Sequence, residues 1–303
     1  MKKWTKIVLG IGIGASLIGA GLTAAGLAGG GLSQLQSYYD NKEKHDSHFY
    51  TKTVENFDKI DIDTTVYNVV ITQTNSDKPS ISYTDNSKLR VSHQVTNDGT
   101  LAVKQTGDWK ESTTGIHFPS LSDFLTLAKN GVVTDNHTIT IAIPKKTTIH
   151  SLIAKVKVGD LQINHLTADY ANIDLNAGDF ELTNSYFKSG KSNLSVGDSN
   201  FQDAQLKNFT LTSNTGDIDF ENGKVSDSTI SLSIGDLSAD NIAFENKNEL
   251  SISTGDVDIT LADKNLTLQA SNNLGDADIS DSLKPSTSNI LNIKGNTGDI
   301  SIQ

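Results

Sequence analysis

Eight aspartates, each preceded by glycine, recur at nearly constant spacing in the second half of the chain. They are Gly159-Asp160, Gly178-Asp179, Gly197-Asp198, Gly216-Asp217, Gly235-Asp236, Gly255-Asp256, Gly275-Asp276 and Gly298-Asp299, at intervals of 19, 19, 19, 19, 20, 20 and 23 residues. Carboxylates so arranged have two chemistries open to them. They can accept backbone N–H bonds in turns, or they can line up to hold a hard, oxygen-seeking cation such as calcium. Stacked about 4.8 Å apart, neighbours would repel by roughly 0.9 kcal/mol in water before salt screening. That repulsion is relieved if each Asp bonds its own turn, or if cations sit between repeats. Asp219, Asp258 and Asp278 add a second, partial acidic column. The turn role is the favoured reading, because the GGxGxDx calcium-roll pattern and bidentate Glu ligands are missing. A calcium ladder along the eight aspartates is the alternative.

Other chemistry finds less support. The seven histidines (His45, His48, His93, His117, His137, His150 and His165) show no HxH, HxxxH or HExxH spacing. No G-x-S-x-G, phosphate-loop or dinucleotide pattern is present, so no catalytic residue and no cofactor is expected. A polysaccharide-active β-helix enzyme would draw on basic residues and clustered carboxylates in a groove, yet Arg90 is the only arginine. The absence of cysteine excludes disulfides, thiolate metal sites and a lipid-modified cysteine. Net charge is −11; residues 151–303 hold 22 acidic residues against 10 lysines, which disfavours nucleic acid as a partner.

The elements that must position the aspartates follow from the period. A repeat of 19–20 residues marks a stacked architecture. One and three places after each Asp lie mostly apolar columns, beginning Leu161, Phe180 and Ile163, Leu182. A second alternating run falls two, four and six places upstream, as in Ile173, Leu175 and Ala177. Alternation of this kind is that of strands with one buried face. Each repeat therefore supplies two inward-facing strands joined at a Gly-Asp corner, where Gly tolerates positive φ, plus a looser third side. The expected fold is all-β: a parallel β-solenoid of eight rungs, roughly 38 Å tall. The pattern degrades at Asn272 and Gly295, so the last two rungs should be less regular, and the strand ending near Gln303 leaves room for an exposed or a swapped last rung.

Residues 53–150 read as the same architecture with a worn period. A helical insert near 118–130 carries Phe118, Leu121, Phe124, Leu125 and Ala128 at helical spacing. It is expected to cap the solenoid or cover an edge, or else to bind a membrane or partner. Upstream, Lys2, Lys3 and Lys6 precede 26 residues, 7–32, with only Ser16 and Thr23 as polar interruptions. As a helix this segment would span about 39 Å, enough to cross a bilayer, and the lysines place the N-terminus in the cytoplasm. Residues 1–33 thus read as a single-pass anchor, 34–52 as a polar stalk, and 151–303 as the regular solenoid outside the cell. A cleaved secretory signal is the alternative, with Thr23-Ala24-Ala25 a tolerable site.

The chain resembles the bacterial "putative adhesin" family, a cell-envelope domain of unknown function with Gly-Asp β-solenoid repeats. The resemblance covers roughly 57–303. It rests on Phe57-Asp58-Lys59-Ile60-Asp61-Ile62, on Thr138-Ile139-Thr140-Ile141-Ala142-Ile143-Pro144, and on rungs such as Asn214-Thr215-Gly216-Asp217-Ile218-Asp219-Phe220 and Ser253-Thr254-Gly255-Asp256-Val257-Asp258-Ile259. It implies a non-catalytic role in adhesion or envelope scaffolding, with a cell-envelope or host-surface ligand. A second implied role is envelope-stress sensing with a membrane protein partner.

Overall fold

The computed structural model describes residues 48–85, 89–106, 137–145 and 147–303. The apolar segment 7–32 and the helical insert at 118–130 lie outside them. Among the described residues no helix is long and apolar enough to cross a membrane.

The chain winds into an all-β parallel solenoid. Strands preceding each Gly-Asp form a leading sheet, among them Thr167–Ala177, Gly190–Val196, Phe209–Thr215 and Thr229–Ile234. Strands following it form a trailing sheet, among them Phe180–Thr183, Ser199–Gln202 and Ile218–Glu221. Successive rungs pair in parallel and in register, so Leu175 lies beside Leu194 and Leu182 beside Phe201. The third side is more regular than the sequence pattern suggests. Tyr186–Phe187, Gln205–Lys207 and Lys224–Ser226 pair as short strands, and their inward residues Phe187, Leu206 and Val225 are buried.

A three-sided rung needs three corners. Gly-Asp makes one. Residues in the left-handed region make the others: His165, Asn184, Asp203, Asn222 and Asn241 at the second, and Asn208, Asp227 and Asn246 at the third. Asn and Asp tolerate this conformation better than other side chains with a Cβ, which explains their recurrence.

Stacking order departs from chain order at both ends. Lys59–Thr64 lies between Thr100–Thr106 and Ile149–Val158, and Asn68–Thr74 lies between Thr138–Pro144 and Leu161–Asn164. Antiparallel strands continue both sheets beyond that end: Arg90–Val95 beside Thr100–Thr106, Ser80–Asp85 beside Thr138–Pro144, and His48–Thr53 beside Ser80–Asp85. Residues 48–52, read from the sequence as stalk, are therefore strand. At the other end, Ile290–Thr297 inserts between Lys247–Thr254 and Thr267–Leu274. Ile300–Ile302 likewise inserts between Val257–Leu261 and Ala277–Ile279. The last rung in sequence is thus interior, and its inward residues Ile300 and Ile302 are buried. Among the described residues the outermost rung is 267–279, where Ala277 and Ile279 are exposed because no described strand stacks above them.

The inward columns match the alternation with one correction. Positions one and three after Asp, and four and six before it, are buried through the body of the stack. Position two before Asp is not: Val158, Val196 and Ile234 are exposed. The inward positions on either side of the corner, such as Leu175 and Phe180, lie five positions apart, an odd step, so strict alternation must break there. The chain turns outward from that position onward. Bulky rings fill the middle rungs, with Phe201 stacked on Phe220 at 4.6 Å and edge-on to Phe180 at 5.5 Å. Small buried serines, Ser192, Ser199 and Ser213, occupy inward positions in the same region.

Candidate functional site

The Gly-Asp edge was the sequence's strongest chemical signal, and all eight pairs fall on one corner. Each of the eight glycines has φ between 126° and 141°. At Gly216 (φ 131°) a side chain would also collide with the main chain of the rung below, since an added Cβ falls inside the radius of the Gly197 carbonyl oxygen. Gly235 stands in the same relation to Gly216. Two independent constraints therefore fix glycine at this corner.

The aspartates accept backbone N–H bonds at the corner, as expected, but from the adjacent rung rather than from their own turn. Seven of the eight carboxylates, all but that of Asp276, reach to the adjacent rung and accept the main-chain N–H of that rung's Asp. Asp160 Oδ1 accepts from Asp179 at 2.9 Å, Asp179 from Asp198 at 2.9 Å, and Asp198 from Asp217 at 2.8 Å. The ladder continues from Asp217 to Asp236 at 2.9 Å and from Asp236 to Asp256 at 2.8 Å. It then skips to Asp299 at 2.8 Å and ends at Asp276 at 2.9 Å, following the stack rather than the sequence. It begins at Asn68, whose Oδ1 accepts from Asp160 N–H at 2.9 Å. Tyr67-Asn68 thus stands where Gly-Asp would in that rung. Tyr67 is buried and its hydroxyl donates to the Thr84 carbonyl at 2.7 Å. Burial, foremost, pushes its phenol well above the ordinary range.

A carboxylate bonded to an N–H keeps a second oxygen, but among the described residues no three His, Asp or Glu side chains converge to hold a metal ion. Asn68 indicates that a neutral amide can fill the same role. Asp217→Asn is therefore expected to leave the melting temperature nearly unchanged, whereas Asp217→Ala, which orphans the Asp236 N–H, loses about 1 kcal/mol. Melting both with and without millimolar calcium checks this; a calcium-dependent rise in the wild type absent from Asp217→Asn would restore the metal reading.

Carboxylates also crowd the outward face beside this corner. Partial burial, and then the charges of Asp217 and Asp198, push the Asp219 carboxyl up from its usual value. A group whose folded pKa is raised binds its proton more readily folded than unfolded. Acidification through that range therefore favours the fold at this position.

Two further features emerge only in three dimensions. A groove of about 580 Å³ lies near the antiparallel end, walled by the exposed ring of Phe49 and by Thr138, Thr140, Asp160, Asp179 and Glu181. Its residues come from separate stretches of chain, so no local pattern announces it. On another edge, His150, Asp169 and Lys188 form a rung-to-rung ladder, with His150 Nδ1 2.5 Å and Lys188 Nζ 2.6 Å from the two oxygens of Asp169. The Lys188 hydrogen bond, then that of His150, lowers the Asp169 carboxyl below its usual range. The spacing of 19 between these three residues was available in the sequence. So was the recurrence of Asn, Asp or His five places after Asp160, Asp179, Asp198, Asp217 and Asp236.

The structure defines a class: an all-β protein whose parallel solenoid presents repeated outward positions. Residues 57–303 match the family described as Toastrack DUF4097, and the chain belongs to that family. Among solved structures it is similar to one described as a putative adhesin from Bacteroides fragilis. Identity there is 18%, with 86% of this chain and 98% of the other covered, and the TM-score is 0.51. It is also similar to one described as a putative adhesin from Parabacteroides distasonis, at 13% identity, with 85% and 98% covered and a TM-score of 0.47. No curated protein matches the chain. The first likeness supports the fold, as does the family match.

Proposed function

We propose that this is a non-catalytic binding or scaffolding protein of the bacterial cell surface, held by residues 7–32 with its solenoid outside the membrane. The observation that carries the reading is the in-register stack. Gln162, Glu181, Asn200, Asp219 and Ser238 occupy one outward column on successive trailing strands. A polar surface repeated once per strand suits a partner that is itself extended, because several weak contacts can form at once. The adhesin description of the Bacteroides fragilis structure is compatible with such a role.

Pull-down from envelope fractions with the full chain, and with a version lacking the first 33 residues, tests the proposal. A surface binder captures the same partner either way. Capture only by the full chain would indicate a membrane regulator whose anchor makes the contact, and capture by neither would overturn both readings.

A further inference from the structure

The position two residues before each Asp forms an exposed column beside the carboxylate ladder. In stacking order it reads Val158, Ala177, Val196, Thr215, Ile234, Thr254, Thr297 and Leu274, joined by strand pairing and by the Gly197 N–H bond to the Thr215 carbonyl. Val158 is 48%, Val196 56%, Ile234 57% and Leu274 66% exposed, four of the eight large apolar side chains that reach solvent among the described residues. The fold does not require them, because Thr215, Thr254 and Thr297 serve the same position. Aliphatic groups gathered on one surface line, about 34 Å long at the strand spacing, mark a contact surface.

Charge decides what the surface takes. The ladder aspartates run alongside it, Glu181, Asp219 and Asp258 lie two residues beyond the corner, and no ion pair among the described residues involves any of them. An anionic lipid surface or a nucleic acid would be repelled. A second copy of this chain, docked edge to edge, would bring two rows of carboxylates together. A glycan would call for aromatic platforms, and neither this column nor the ladder contains one. We infer that this edge docks a cationic polypeptide segment in which lysine or arginine flanks a row of aliphatic side chains. This deepens the binding role proposed above by naming the partner class.

The stack supplies its own control substitutions. Val196→Thr with Ile234→Thr copies the neighbouring rungs. Asp198→Asn with Asp217→Asn and Asp236→Asn copies Asn68, so charge is removed while the N–H acceptor remains. The probe is a fluorescent peptide of alternating lysine and leucine, titrated against the full chain in nanodiscs, with the signal from empty nanodiscs subtracted. Specific binding is expected, weakened about tenfold by the threonine pair and made less salt-sensitive by the asparagine triple. A lysine–serine peptide should bind far more weakly. The inference is overturned if the lysine–leucine peptide does not bind, if the threonine pair binds it unchanged, or if lysine–serine binds equally well. Envelope pull-down that survives both variants would leave the binding role standing and exclude this edge from it.

Discussion

Replacing Gly216 with alanine is expected to cost about 3–5 kcal/mol of folding stability, combining backbone strain with steric overpacking. Its φ of 131° is a conformation that side chains with a Cβ rarely adopt. The new methyl would also meet the Gly197 carbonyl oxygen, which is main chain and cannot swing aside. Relief would require the rungs to separate at this corner. That would strain the Asp198–Asp217 bond of 2.8 Å and the Asp217–Asp236 bond of 2.9 Å. Gly223 is the control. It lacks a positive φ, and an added Cβ would meet Phe220 at 3.4 Å, an ordinary contact, so Gly223→Ala should be nearly neutral. Gly275→Ala meets the same kind of carbonyl clash, against Gly298, but in the outermost rung. That rung can fray without unfolding the stack, so the loss of global stability should be smaller. Denaturant unfolding of the three variants measures the contrast; equal losses at Gly216 and Gly223 would refute the corner argument.

Periodicity exposes what each rung repeats, and hides what it does once. The Gly-Asp corner and the inward columns were legible because every rung solves the same packing problem. Stacking order was not, because a strand's partner is not encoded in its own alternation. Only the longer interval of 23 before Asp299 hinted that the chain steps back one layer. The outward turn at Val158, Val196 and Ile234 was hidden for a related reason. Val, Ile and Thr suit a strand whichever way they face, so their presence two places before Asp does not report burial. Tyr67-Asn68 escaped notice as a corner because it lacks glycine. It is recognisable only from the ladder bond of Asn68 to Asp160. The Phe49 groove depends on pairing between strands distant in sequence.

Phe201→Ala should be comparably severe, at about 3–5 kcal/mol, through a different mechanism. The ring is fully buried between Phe180 and Phe220, and both neighbours would lose a packing face. Aromatic contacts at these distances add to the burial term. Collapse into the vacancy is resisted because the flanking strands are pinned in register on both sides. In a solenoid such a defect weakens two interfaces at once, those with the rungs above and below. The unfolding transition should therefore shift to lower denaturant and also broaden, as the two halves begin to melt separately. Ser199, two residues earlier on the same strand and also buried, gives the opposite expectation. Its hydroxyl has no hydrogen-bond partner among the described residues. Ser199→Ala removes an unsatisfied polar group and should be neutral or mildly stabilising. A large loss at Ser199 with little change at Phe201 would mean that the middle of the stack is held by buried polar contacts rather than by ring packing.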